Sequence, residues 1–142
     1  MFAEERHVYG CHTLGIETDD LDAVIAALKA GFPYSAFEAL WQSVGIPQKK
    51  LAEVANINQR TLTRRKRETR FHADESERLL RIGRVVERAI ELMEGDSEAA
   101  AAWLMKPSRV LGGTSPLDYA DTEPGAREVM TLIGRLEHGV FS

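Results

Sequence analysis

Residues 46–65 read Ile46-Pro47-Gln48-Lys49-Lys50-Leu51-Ala52-Glu53-Val54-Ala55-Asn56-Ile57-Asn58-Gln59-Arg60-Thr61-Leu62-Thr63-Arg64-Arg65. The spacing predicts two short helices with a turn at Asn56-Ile57. Leu51, Ala52 and Ala55 share one face of the first helix, and the small alanines let a second helix approach closely. Asn56 falls where the chain must reverse with φ > 0, a conformation Asn tolerates better than most residues other than Gly. Ile57 is placed to plug the gap between the helices, Asn58 is a favoured N-cap for the second, and Leu62 returns to the core.

This order of small, turn, cap and apolar residues resembles the helix-turn-helix pattern Leu-Ala-x-x-Ala-Gly-Val-Ser-x-x-Thr-Leu of bacterial repressors, with Asn56 in place of the usual glycine. In that motif the second helix enters the major groove. Asn58, Gln59, Arg60 and Thr61 are then expected to face base edges, since Gln suits adenine and Arg suits guanine. Lys49, Thr63, Arg64, Arg65, Lys66, Arg67 and Arg70 are expected on phosphates. The charge distribution agrees. Residues 47–70 carry eight Lys and Arg against Glu53 and Glu68, a net +6 in a chain whose total is −4, which leaves −10 elsewhere. Positive charge focused on one segment of an acidic protein is an electrostatic footprint for a polyanion.

Upstream, Thr18-Asp19-Asp20 looks like a helix start, followed by Leu21, Val24, Ile25 and Leu28 at helical spacing and Gly31 as a stop. Ser35-x-x-Glu38 has the form of a capping box ahead of the stripe Phe37, Leu40, Trp41 and Val44, closed by Gly45. Residues 1–17 show no period and are expected to form a partly ordered arm. His7, Cys11 and His12 lie there without a fourth ligand at useful spacing, so no metal site is expected.

Downstream, Asp74-x-x-Glu77 is a second capping-box pattern opening a long helix. Leu79, Ile82, Val86, Ala89, Ile90 and Met93 run along one face of it. Arg78, Arg81, Arg84 and Arg88 are expected mostly outside, in charge pairs three or four apart with Glu residues. Gly95 is expected to end this helix, and Asp96 or Ser97 to cap the next, which carries Trp103 and Leu104 and is blocked by Pro107. Gly112-Gly113 reverses the chain. Ser115-Pro116 starts a short helix, with proline at the first helical position. A last helix begins at Thr122 or Glu123, with Ala126, Val129, Met130, Ile133 and Leu136 inward and Gly139 as its stop.

The run Trp103-Leu104-x-x-Pro107-x-x-x-Leu111-Gly112-Gly113-x-x-Pro116-Leu117, with Glu77-Arg78-Leu79-Leu80-Arg81 before it and Gly125 through Gly139-Val140 after it, resembles the Xre/MbcA/ParS family of antitoxins. The resemblance spans most of the chain beyond residue 20. It implies an all-α protein in three parts: a helix-turn-helix DNA-binding domain with an N-terminal arm (1–72), a connecting helix (73–95) and a small helical toxin-binding module (96–142). It also implies a homodimer, a cognate RES-domain toxin that consumes NAD and whose cleft the antitoxin blocks, and repression of its own operon at operator DNA. An exposed C-terminal tail suits entry into a cleft shaped for an anionic dinucleotide, so Arg135, Glu137, His138, Val140, Phe141 and Ser142 are the expected toxin contacts. Trp103, Leu104, Leu111, Pro116 and Leu117 are expected to be structural.

An enzyme reading finds no support in the residues. Four scattered His, one Cys and no Gly-rich phosphate loop give no catalytic set, and no cofactor is expected. The alternative reading is a stand-alone regulator whose C-terminal half binds a ligand or another protein. One cysteine excludes an internal disulfide. No apolar run approaches the ~20 residues of a membrane helix, and the N-terminus lacks a signal-peptide pattern. The cytoplasm is the expected compartment.

Overall fold

The computed structural model describes residues 9–139. They form eight α-helices and no strands: α1 (Leu21–Ala30), α2 (Tyr34–Val44), α3 (Gln48–Val54), α4 (Gln59–Glu68), α5 (Ala73–Leu92), α6 (Ser97–Met105), α7 (Pro116–Tyr119) and α8 (Glu123–Glu137). Short 3-10 turns lie at His12–Leu14 and Arg109–Leu111. The all-α expectation holds. One continuous core runs through both halves, from Phe37, Leu40 and Leu51 through Leu79, Ile82 and Val86 to Leu104, Leu117 and Ile133.

The long helix α5 is the axis of the molecule. It packs against α1, α2, the N-terminal turn, α6 and α8. Its arginines do not simply face solvent. Arg78 Nε donates to the Ala55 carbonyl (2.7 Å) and its Nη2 to that of Asn56 (3.4 Å). Arg81 donates to the Asp121 carbonyl (3.2 Å), Arg84 to the Tyr9 carbonyl, and Arg88 to the Glu137 carboxylate (2.5 Å). One helix thus ties down the turn before α4, the start of α8, the N-terminal segment and the end of α8. Of the expected charge pairs along it, Arg88 does meet Glu91. Most of these guanidiniums are spent on partners distant in sequence, because α5 is flanked by elements on nearly every side.

Residues 9–17 are not an arm. Cys11 and Leu14 are buried against α5, and Thr13 Oγ1 donates to the Gly83 carbonyl at 3.0 Å. Gly83 leaves the room for this: a β-carbon there would stand 2.7 Å from Leu14 Cδ1 and 3.0 Å from Cys11 Sγ. Cys11 is hydrogen-bonded with Thr13 at 3.1 Å, and burial pushes its thiol up to about 11, well away from a reactive thiolate. His12 faces Glu17 instead, at 3.1 Å.

Two helix starts differ from the sequence reading. α2 begins at Tyr34 after Pro33 and not at a Ser35 cap, because the Tyr34 N–H is taken by the Thr69 carbonyl at 3.0 Å. α5 begins after His72, and the carboxylate that reaches back to the His72 N–H is Glu75 (2.8 Å), where Asp74 and Glu77 had been expected to pair. Both starts belong to one junction. Phe71 N–H bonds the Phe32 carbonyl at 2.8 Å, and Tyr34, Phe37 and Phe71 pack ring against ring with centroids 5.4–6.1 Å apart. The remaining caps fall as read: Asp20, Asn58, Asp96, Ser115 and Thr122 each accept from the first turn they precede.

Candidate nucleic-acid interface and C-terminal module

The turn between α3 and α4 has the geometry its sequence calls for. Asn56 sits at φ 59, and Ile57 N–H bonds the Ala52 carbonyl at 2.8 Å. Leu51, Ala52, Ala55, Ile57 and Leu62 are buried between the helices. Asn58 Oδ1 accepts from the Thr61 N–H at 2.8 Å, so its amide nitrogen remains for an outside contact. Arg78 of α5 clamps the carbonyls of this turn from behind. Sequence reading missed it as a positioning residue, since its partners lie 22 and 23 residues away.

The outer face of α4 carries Gln59, Arg60, Thr63, Arg64, Lys66 and Arg67, all exposed, with Thr61 partly covered. Lys49 is exposed on α3, and Lys49, Asn56 and Gln59 border a cleft of about 310 Å³ in front of the α4 N-terminus. Lys49, Arg60, Arg64, Lys66 and Arg67 have no ion partner among the described residues. These cations, four on α4 and Lys49 on α3 beside the Glu53 that lines the same cleft, are suited to a polyanion. Arg70 is turned partly inward and gives a guanidinium N–H to the Gly31 carbonyl at 2.6 Å.

Arg65 must be withdrawn from the phosphate set. It is 5% exposed; its Nε donates to Glu75 at 2.8 Å, Nη1 meets Glu68 at 3.2 Å, and Nη2 lies 3.2 Å from His72 Nδ1. It stands three residues after buried Leu62, hence on the inward face of α4. Burial pushes the Glu75 carboxyl up, but the Arg65 guanidinium and the His72 N–H outweigh it and hold it below its ordinary value. The hydrogen bond to Glu75 raises Arg65 in turn. This pair fastens α4 to the start of α5.

The C-terminal module is fixed to the first half by a second ion pair. Lys50 Nζ lies 2.6 Å from Asp118 Oδ1. The bond to Lys50 lowers the Asp118 carboxyl, helped by the Ser115 hydroxyl at 3.0 Å. Leu104, Leu111, Pro116 and Leu117 are buried, as their structural role requires, and Trp103 is partly covered. Gly125 lets α8 start against α7, since a β-carbon there would stand 1.8 Å from the Tyr119 carbonyl oxygen. Of the expected partner-binding residues, Arg135 and His138 are exposed. The His138 ring is bonded with the Gly134 carbonyl (2.8 Å), and Glu137 is held by Arg88. Val140, Phe141 and Ser142 lie outside the described residues. Ile133 is fully buried and closes the module's core.

Comparison with known proteins matches these two regions separately. Residues 23–84 match the antitoxin Xre-like helix-turn-helix domain, and residues 88–139 match the antitoxin Xre/MbcA/ParS C-terminal toxin-binding domain. The chain is 38% identical to Antitoxin Xre of Yersinia enterocolitica, covering 91% of this chain and 88% of that protein. It belongs to the Xre/MbcA/ParS antitoxin family. A second Antitoxin Xre, from Photorhabdus laumondii, is 37% identical over 92% of this chain and 88% of its own length. A more distant relative, 23% identical over 83% of this chain and 80% of its own, is the Prs ADP-ribosylating antitoxin of a Sphingobium strain. All three relatives are named as antitoxins. In family terms, α5 runs out of the helix-turn-helix domain and into the toxin-binding domain. Among the described residues no helix is long and apolar enough to cross a membrane.

Proposed function

We propose that this antitoxin binds a cytoplasmic RES-domain toxin that consumes NAD, covers its active-site cleft, and as a homodimer represses its own operon through α4. The observation that carries the reading is the union, in one chain, of an exposed unpaired cationic helix behind a rigid turn and a module of the toxin-binding type. The bases are read by Asn58, Gln59, Arg60 and Thr61, and the phosphates are met by Lys49, Thr63, Arg64, Lys66 and Arg67. On the toxin side, Arg135, His138 and the tail Val140-Phe141-Ser142 make contact, with Glu137 contributing where Arg88 releases it.

The test is co-expression with the protein encoded beside it, following growth, cellular NAD and protein ADP-ribosylation. Full-length protein is expected to co-purify with the neighbour and to restore growth and NAD. A chain cut before Asp96 is expected to do neither. NAD loss accompanied by labelled protein would identify ADP-ribosyl transfer as the toxin's reaction; NAD loss alone would identify hydrolysis or phosphorolysis. A harmless neighbour that the full-length protein does not capture would reject the proposal.

A further inference from the structure

The C-terminal module holds a groove of about 650 Å³ between the Arg109–Leu111 turn and the start of α8. One rim is Val110, 68% exposed and the most exposed large apolar residue among those described. It is held there rigidly. Its neighbour Leu111 is buried, and Ser108 and Thr114 bridge beneath the turn. Tyr119 and Pro124 continue the apolar lining, and the Gly125 backbone leaves that wall without a side chain. The polar side is anionic. Asp118, Asp121 and Glu128 line it, and only Asp118 has an ion partner among the described residues, Lys50. Among the described residues no cation lines the groove.

Resting on the antitoxin reading above, we propose that this groove is a docking surface for the toxin, and that its occupant is a toxin segment carrying a Lys or Arg beside an apolar side chain. Three observations converge on that occupant. The groove lies wholly inside the region matched as toxin-binding. Its two unpaired carboxylates repel an anionic partner and attract a cationic one, which favours one orientation of the complex. Val110 offers an apolar anchor on a preformed turn, so little ordering is required on binding. The tail beyond Leu136 is then a separate contact.

The test is calorimetric titration of the purified cognate toxin with Asp121→Lys/Glu128→Lys, with Val110→Ser, and with a chain ending at Leu136. All the substituted positions are exposed, so folding is not at stake; helical circular dichroism and operator affinity serve as controls. Each groove variant is expected to weaken toxin affinity about tenfold or more. The double charge reversal should lose most at low salt, where charge attraction is least screened. Groove variants that bind within about twofold of the parent overturn the groove while leaving the antitoxin reading intact. A parent protein that does not bind the toxin at all overturns both.

Discussion

Arg65→Ala should act on the fold and not on DNA. The Arg65 and Glu75 side chains are 7% and 6% exposed and meet at 2.8 Å. Removing the guanidinium leaves Glu75 buried with one hydrogen bond, from the His72 N–H. Breaking a buried pair in this way costs about 3–5 kcal/mol. For a chain of this size about 3 °C of melting temperature accompanies each kcal/mol, so the midpoint should fall by roughly 9–15 °C. The sign of the pH dependence follows from Glu75. Its folded-state carboxyl is depressed in the parent. The pair's contribution is therefore complete above the unfolded value of about 4.3 and is lost as pH falls through the lower folded value. In Arg65→Ala the unpaired Glu75 favours its neutral form. The gap between parent and variant should shrink from pH 7 toward pH 4. Replacing both residues by apolar ones, Arg65→Met/Glu75→Leu, should recover much of the loss, because no buried charge is then left alone. Denaturant melts at pH 7 and pH 4.5 provide the assay. A variant as stable as the parent that nevertheless loses DNA affinity uniformly would refute this and return Arg65 to the phosphate contacts.

Other expectations concern the DNA face and the module. Arg60→Ala should relax operator specificity by about 1–3 kcal/mol, whereas Arg64→Ala should weaken operator and random DNA alike; competition binding with both DNAs distinguishes them. With Lys49, Arg64, Lys66 and Arg67 on phosphates in each half of a dimer, log affinity against log salt should have a slope near about −7, and a slope near zero would remove the basic face as a footprint. Gly125→Ala forces α8 away from the Tyr119 carbonyl and should cost about 1–3 kcal/mol or more in a thermal melt.

The helix-turn-helix was legible in the sequence because its signals are local. Asn56 and Asn58 state the turn and the cap within three residues, and the chain obeys them at φ 59 and with a 2.8 Å cap. The same holds for Asp96, Ser115-Pro116 and Thr122 in the module. What escaped depended on partners far along the chain. Arg65 looks like any other cation in a basic run until Glu75 arrives on the next helix, although its spacing from Leu62 was a usable hint. The segment around Cys11 and Leu14 has no period because it is a plug and not a helix; its receptor is Gly83, which reads in isolation as a weak point in a long helix. Arg78 is another such case, an apparently solvated charge whose partners are the carbonyls behind the turn. The groove at Val110 was also hidden, since an exposed valine in a turn is recognisable only once Leu111 is seen to be buried.

The central claim is that this antitoxin silences an NAD-consuming toxin by covering its cleft. The most direct measurement is NAD consumption by the purified cognate toxin, titrated with this protein at several NAD concentrations. The account predicts complete inhibition at a fixed small ratio of antitoxin to toxin, with more antitoxin needed as NAD rises. A toxin that keeps consuming NAD when saturated with this protein would contradict it.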